Sequence, residues 1–138
     1  MKMKKSQLEA EFERIWIEVT KKYPDPAALK LEAEHPFAKE VGRKFRFDFC
    51  HMEQRVAVEI MGGTWTGGRH TSPQGYKRDC EKLLYAAELE WKVIYLTSDM
   101  VNADYLKRIA DIILARNIVK GPNHDWVISH TVENRRAN

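Results

Sequence analysis

The chain has 138 residues, 43% of them hydrophobic and 31% charged, the balance of a folded domain, which excludes wholesale disorder. Its 23 basic and 20 acidic residues leave a net charge of +3, which permits nucleic-acid binding without arguing for it. No apolar run approaches the ~18 residues of a membrane span, and no apolar segment follows the lysines of MKMKKSQLEAEFER, so the start does not read as a secretory signal.

This length predicts one domain, able to bury about two thirds of the surface of its unfolded form without help from a disulfide or a structural metal. Cys50 and Cys80 lack zinc-ligand spacing and read as reduced thiols of a cytoplasmic protein.

Residues 6–22 predict a helix. Ser6 is its expected N-cap, Glu9 completes a capping box, and Leu8, Phe12, Ile15, Trp16 and Val19 form an apolar stripe. Pro24-Asp25-Pro26 stops it. Residues 36–41 predict a short strand, with Phe37, Lys39 and Val41 alternating against Ala38 and Glu40. Residues 44–50 (KFRFDFC) and 55–61 (RVAVEIM) alternate strictly and predict a hairpin closed by residues 51–54. Pairing Cys50 with Arg55 sets Phe49, Phe47 and Phe45 against Val56, Val58 and Ile60. The other side then carries Arg46 opposite Glu59 and Asp48 opposite Ala57, with Asp48 and Glu59 as diagonal neighbours.

A loop rich in Gly, Thr and Ser follows at 62–75. Residues 76–90 predict a helix with Tyr76, Cys80, Leu83, Leu84 and Ala87 inward. Residues 91–97 (WKVIYLT) predict a central strand, apolar on both faces. Ser98 or Asp99 caps a last helix, to about residue 117, with Val101, Leu106, Ile109, Ile112 and Ile113 inward. The domain is expected to span residues 1–118, with a polar tail at 119–138. A meander followed by a helical crossover predicts an α/β fold of the α+β kind, a mixed sheet with helices against it.

Acidic residues are depleted in strands, yet Asp48 and Glu59 each sit inside a strong one. One reading is a cross-strand ion pair of Arg46 with Glu59. The other is a divalent-cation site, because two carboxylates on adjacent strands suit Mg²⁺, which keeps several waters. The glycine pairs Gly62-Gly63 and Gly67-Gly68 allow close backbone approach to phosphate, without the spacing of a nucleotide-binding loop.

The segments FRFDF, VEIMGG, GRHT, GYKRDCEK and WKVIYLT resemble the PD-(D/E)xK nuclease superfamily. The nearest resemblance is to small phage and bacterial nucleases of the Holliday-junction-resolvase and very-short-patch-repair types, over roughly residues 6–101. It implies a restriction-endonuclease-like αβββαβ core with flanking helices. It further implies a Mg²⁺-dependent endodeoxyribonuclease (Mn²⁺ able to substitute) that acts on branched DNA as a homodimer, in the cytoplasm of a bacterial or phage-infected cell, with no membrane partner.

Carried over by residue, Asp48 and Glu59 hold the metal and Ile60 offers its carbonyl. The motif's lysine position holds Met61, which is a departure, since methionine is neither a base nor a Mg²⁺ ligand. Lys82, or Lys77, from the following helix is the expected substitute, the alternative for Lys82 being a pairing with Asp79 three residues before it. The family's first-helix glutamate matches Glu9, then Glu13, then Glu34, while capping alone would also explain Glu9. His70 falls where the repair-type relatives carry a histidine acting on the attacking water. Arg43, Lys44, Arg46, Arg69, Lys77 and Arg78 are expected to contact DNA phosphates. Trp65 is either core or a stacking platform for a base. Two rivals stand beside this reading: a repair-type or sequence-specific nicking endonuclease, and a non-catalytic DNA-binding module on the same fold.

Overall fold

The computed structural model describes residues 3–62, 72–115, 118–120, 122–123 and 126–128. Helix α1 (Lys5–Thr20) buries Leu8, Phe12, Trp16 and Val19 as the stripe requires. Its start differs from expectation. The Lys4 N–H donates to Gln7 Oε1 at 2.9 Å, which satisfies a donor ahead of the helix, and Ser6 lies exposed inside the first turn. Glu9 is therefore not a capping residue. Beyond the helix, the Trp16 indole N–H donates to the Leu29 carbonyl at 2.9 Å and fixes the chain on its way to the sheet.

The first strand, β1 (Glu32–His35), precedes the expected 36–41 segment. Pro36 explains the difference: it has no N–H to donate to a ladder and holds its predecessor extended. Residues 39–41 instead form a 3-10 turn that ends on Gly42 at φ 74°. Phe37 still reaches the core, while Val41 is exposed.

Strands β2 (Phe47–His51), β3 (Val56–Ile60) and β4 (Lys92–Leu96) complete a four-stranded sheet in the order β1-β2-β3-β4. The first two pairings are antiparallel and β3–β4 is parallel. The β2–β3 register is Phe49 to Val58, Cys50 to Ala57 and His51 to Val56, two residues away from the expected pairing. A two-residue slip keeps every side chain on its own face, so alternation cannot detect it. The loop decides. His51 belongs to β2, and the turn is residues 52–55, closing on Arg55 at φ 52°. His51 anchors it: Nδ1 accepts the Gln54 N–H at 3.2 Å, so the Nε2–H tautomer donates to the Ala28 carbonyl at 2.7 Å.

The phenylalanine row also divides. Phe49 packs with Val56, Val58 and Ile60 against α1, whereas Phe45 and Phe47 join Phe37, Ala57 and Trp91 on the opposite side. Alternation breaks at Asp48. Glu34, opposite it by the β1–β2 register, has φ 53°, an irregularity of the kind that re-aims side chains in a sheet.

Helix α2 (Pro73–Glu88) starts on Ser72, whose Oγ accepts the Gly75 N–H at 3.0 Å, with Pro73 in the first turn. It crosses over between the parallel strands β3 and β4. Its buried face is not the expected one. Ala86 is buried and Asp79, Lys82, Tyr85 and Leu89 are half-buried, while Tyr76, Cys80, Leu83, Leu84 and Ala87 all point outward and are exposed. The reason is beneath the helix: Glu59 demands a cation there, so the polar face turns inward.

Helix α3 (Ala103–Ile113) is capped by Asn102, whose side chain accepts the Tyr105 N–H at 3.1 Å; residues 98–100 form a 3-10 turn instead. Leu106, Ile109 and Ile113 are buried against α1 and the sheet. The Tyr23 hydroxyl donates to Asp111 at 2.8 Å, joining the end of α1 to α3. The architecture is mixed α/β in three layers, with α1 and α3 on one face of the sheet and α2 on the other. Strand β4 is an edge, not a central strand, which is why Lys92 and Tyr95 are exposed. Starting at the boundary of the expected tail, β5 (Ile118–Lys120) and β6 (Trp126–Ile128) pair antiparallel as a second, two-stranded sheet. No helix among the described residues is long and apolar enough to cross a membrane.

Candidate metal and nucleic-acid site

Asp48 ends the regular part of β2 and Glu59 lies near the end of β3. The paired register ends at Phe49–Val58 and sets Ala57 against Cys50, not Asp48, so Asp48 and Glu59 are the next residue on each strand. Both are buried, at 7% and 4% exposure. Asp48 replaces the backbone ladder here: its Oδ2 accepts the Ile60 N–H at 2.8 Å. The Met61 N–H turns the other way, to the Leu96 carbonyl at 2.8 Å. In an extended strand one residue's N–H and C=O point to the same side, so the Ile60 carbonyl also faces β2 and the acids.

Each acid meets a lysine from a different helix. Lys82 of α2 donates to Glu59 Oε1, and Lys5 of α1 lies with Nζ 3.1 Å from Asp48 Oδ1. Lys82 thus pairs with Glu59 through its inward face. The expected Arg46–Glu59 alternative does not form, and Arg46 instead donates to the Glu34 carbonyl at 3.4 Å. Two more carboxylates converge on Asp48: Glu9 from α1 and Glu34 from β1 offer oxygens within 4.8 Å of one another and of Asp48. These groups line a pocket of about 290 Å³ whose rim carries Lys44, Arg46 and Arg78.

Burial pushes the Glu59 carboxyl up to about 7; the Lys82 ammonium works against that rise and Asp48 adds to it. Glu9 is also raised, by burial first and then by Asp48, with Lys5 pulling it down. Burial is the first cause of both shifts, and the neighbouring Asp48 charge adds to each. Elsewhere, burial pushes the Cys50 thiol up to about 12, which suits an inert core thiol.

The sequence did not single out Lys5, and it placed Glu34 behind Glu9 and Glu13, yet both converge on Asp48. The signal for Lys5 was available, since it precedes Glu9 by four residues and shares its helix face. A Cβ built on Gly62 would meet the Lys5 Cβ at 3.4 Å, so the start of α1 lies against the chain just after Met61. An ammonium from α1 therefore stands beside the slot that Met61 leaves uncharged.

The other expected residues divide by position. Arg78 lies 5.0 Å over the Phe45 ring at the pocket edge. Arg43 is outside the pocket, stacked between Phe45 at 4.7 Å and Tyr85 at 5.3 Å and paired with Glu81 at 3.0 Å. Lys77 is exposed on α2, on the side turned from the acids. Glu13 borders a separate apolar groove with Phe12 and Trp16. Trp65, Arg69 and His70 lie outside the described residues.

Chemically, the arrangement offers hard oxygen donors, two ammonium groups and a cationic rim around one small pocket. That set can hold a divalent cation and face an anionic ligand such as a phosphodiester. Compared with known proteins, the chain matches no family model, no curated protein and no solved structure.

Proposed function

We propose that the protein is a Mg²⁺-dependent endodeoxyribonuclease on a restriction-endonuclease-like core, hydrolysing phosphodiester bonds in branched DNA. The observation that carries the reading is the placement of Asp48 and Glu59 side by side, with Lys82 on Glu59 and the Ile60 N–H on Asp48. The order α1-β1-β2-β3-α2-β4, with β3 and β4 parallel, supports it as the element order of that core.

The donor set fits the metal: among the described residues that line the pocket, carboxylates are present and no sulfur or imidazole is, which suits Mg²⁺ and Mn²⁺ rather than a softer ion. Asp48, Glu59 and the Ile60 carbonyl would hold it, with Glu9 and Glu34 beside them. When bound, the ion supplies a nucleophilic water at neutral pH and polarises the phosphoryl oxygen. Asp48 keeps its geometry through the Ile60 N–H. Lys82, freed from part of its pairing with Glu59, stabilises charge on the phosphate, and Lys5 does the same from the opposite helix. Lys44, Arg46 and Arg78 seat the flanking phosphates.

A second reading, a non-catalytic DNA-binding module, is favoured by one observation: each acid already has a lysine partner and Met61 provides no charge. Incubation with supercoiled plasmid and with four-way junctions, in Mg²⁺ or EDTA, separates the readings. Paired symmetric nicks on junctions in Mg²⁺ are expected. Site-specific nicks on linear duplex would move the assignment to a nicking endonuclease. Junction retention without cleavage in Mg²⁺ or Mn²⁺ would move it to the binding module.

A further inference from the structure

The outward face of α2 is apolar along its length. Tyr76, Leu83 and Leu84 are 63%, 39% and 61% exposed, and Cys80 and Ala87 are exposed between them. The spacing 76, 80, 83, 87 runs four, three, four, which is the seam of a helix pair. It lies on the side of α2 opposite Tyr85 and Leu89, so it cannot reach this chain's own sheet. A helix carrying such a stripe in water has not used its apolar surface.

The charges beside the stripe identify what covers it. Lys77 near the start of α2 and Glu88 at its end are both exposed. They are eleven residues apart, close to three full turns, so they flank the stripe on the same side. When two helices pack antiparallel about a two-fold axis, like flanks face each other with the direction reversed. A second α2 therefore sets each Lys77 against the other copy's Glu88, twice. A parallel pairing would set unlike flanks against each other, leaving Lys77 and Glu88 of the two copies on opposite sides of the seam with no such match. The antiparallel arrangement also opposes the two helix dipoles.

We propose that two copies of this chain associate through the outward faces of α2, antiparallel about a two-fold axis. Tyr76 then packs towards Ala87 of the other copy, and Cys80 towards its Leu83. The interface is isologous and closes at two copies. Helix α2 has 16 residues and is about 24 Å long, so the contact is small and the association weak. The proposal does not rest on the nuclease reading. A chain that cleaves nothing can still pair through α2, and a monomer can still nick one strand.

Sedimentation equilibrium of the full chain, from about 1 to 200 µM, tests it. The wild type is expected to pass from monomer to dimer across that range. Leu84→Glu, at an exposed position that leaves the core untouched, is expected to weaken association at least 10-fold with an unchanged melting temperature. The charge pair supplies the arm specific to the geometry. Lys77→Glu alone and Glu88→Lys alone should each weaken the dimer, and Lys77→Glu/Glu88→Lys should restore it. Across an antiparallel dimer, a flexible bis-maleimide should also link the Cys80 thiols of two copies. A monomer at 200 µM overturns the proposal and leaves the stripe to a different protein. So does a dimer indifferent to Leu84→Glu, or a double charge swap weaker than either single change.

Discussion

Raising the pH should destabilise the metal-free protein through Glu59. Its carboxyl rises from 4.5 to about 7 on folding, so between those values the folded chain holds more protons than the unfolded one. Stability then falls as pH rises, is fully retained below about 4.5 and is lost through pH 7. At about 1.4 kcal/mol per pH unit the loss is about 3 kcal/mol, on the order of 10 °C in melting temperature for a domain this size. Melting in EDTA at pH 5, 6, 7 and 8 measures it. Glu59→Gln alone would strand Lys82, so the informative control is Glu59→Gln/Lys82→Met, which removes both ends of the pair. The difference between wild type and control should shrink by about 3 kcal/mol from pH 5 to pH 8. Mg²⁺ favours ionised Glu59 and should raise the wild-type melting temperature more at pH 8 than at pH 5. Identical pH slopes in wild type and control would refute the reasoning.

Asp48→Asn and Glu59→Gln should each abolish cleavage while leaving DNA binding intact or tighter, by gel shift, since each removes negative charge facing phosphate. Lys82→Ala should cost ~10²–10⁴-fold in single-turnover cleavage, the range of a positioned charge-stabilising group. Lys5→Met should slow the same step by a smaller factor while tightening Mn²⁺ binding, because it frees Asp48; weaker Mn²⁺ binding would contradict that role. DNA affinity should fall by orders of magnitude between about 50 and 200 mM salt if ~6–10 phosphates are contacted, and a flat dependence by fluorescence anisotropy would argue against a nucleic-acid partner.

The strands that carry the acids were legible because period-two alternation around Phe47 and Val58 has no helical reading. What alternation could not carry was the offset between them. Two registers of equal parity bury the same residues, and a single contact, His51 on the Ala28 carbonyl, distinguishes them from outside the hairpin. That offset makes Asp48 and Glu59 the residues next beyond the Phe49–Val58 pair. Helix α2 misled for a related reason. Its apolar residues predicted the buried face, but the residue beneath it is a buried carboxylate, and Lys82 turned inward to meet it. The error left a visible trace, because Leu83 and Leu84 are exposed. Pro36 was a local signal against a strand at 36–41, outweighed there by the pattern of Phe37 and Val41. Lys5 lay hidden in a lysine-rich start that resembles any solvated terminus, and only the packing of α1 against Gly62 brings it to Asp48.

Mn²⁺ binding, followed by the loss of free-ion paramagnetic resonance signal, tests the paired-acid site without requiring the right DNA. The wild type should bind Mn²⁺ saturably, and Mg²⁺ should displace it. Asp48→Asn and Glu59→Gln should each weaken binding at least 10-fold while keeping the fold by circular dichroism. Wild-type affinity in either variant would place the metal elsewhere and contradict the account.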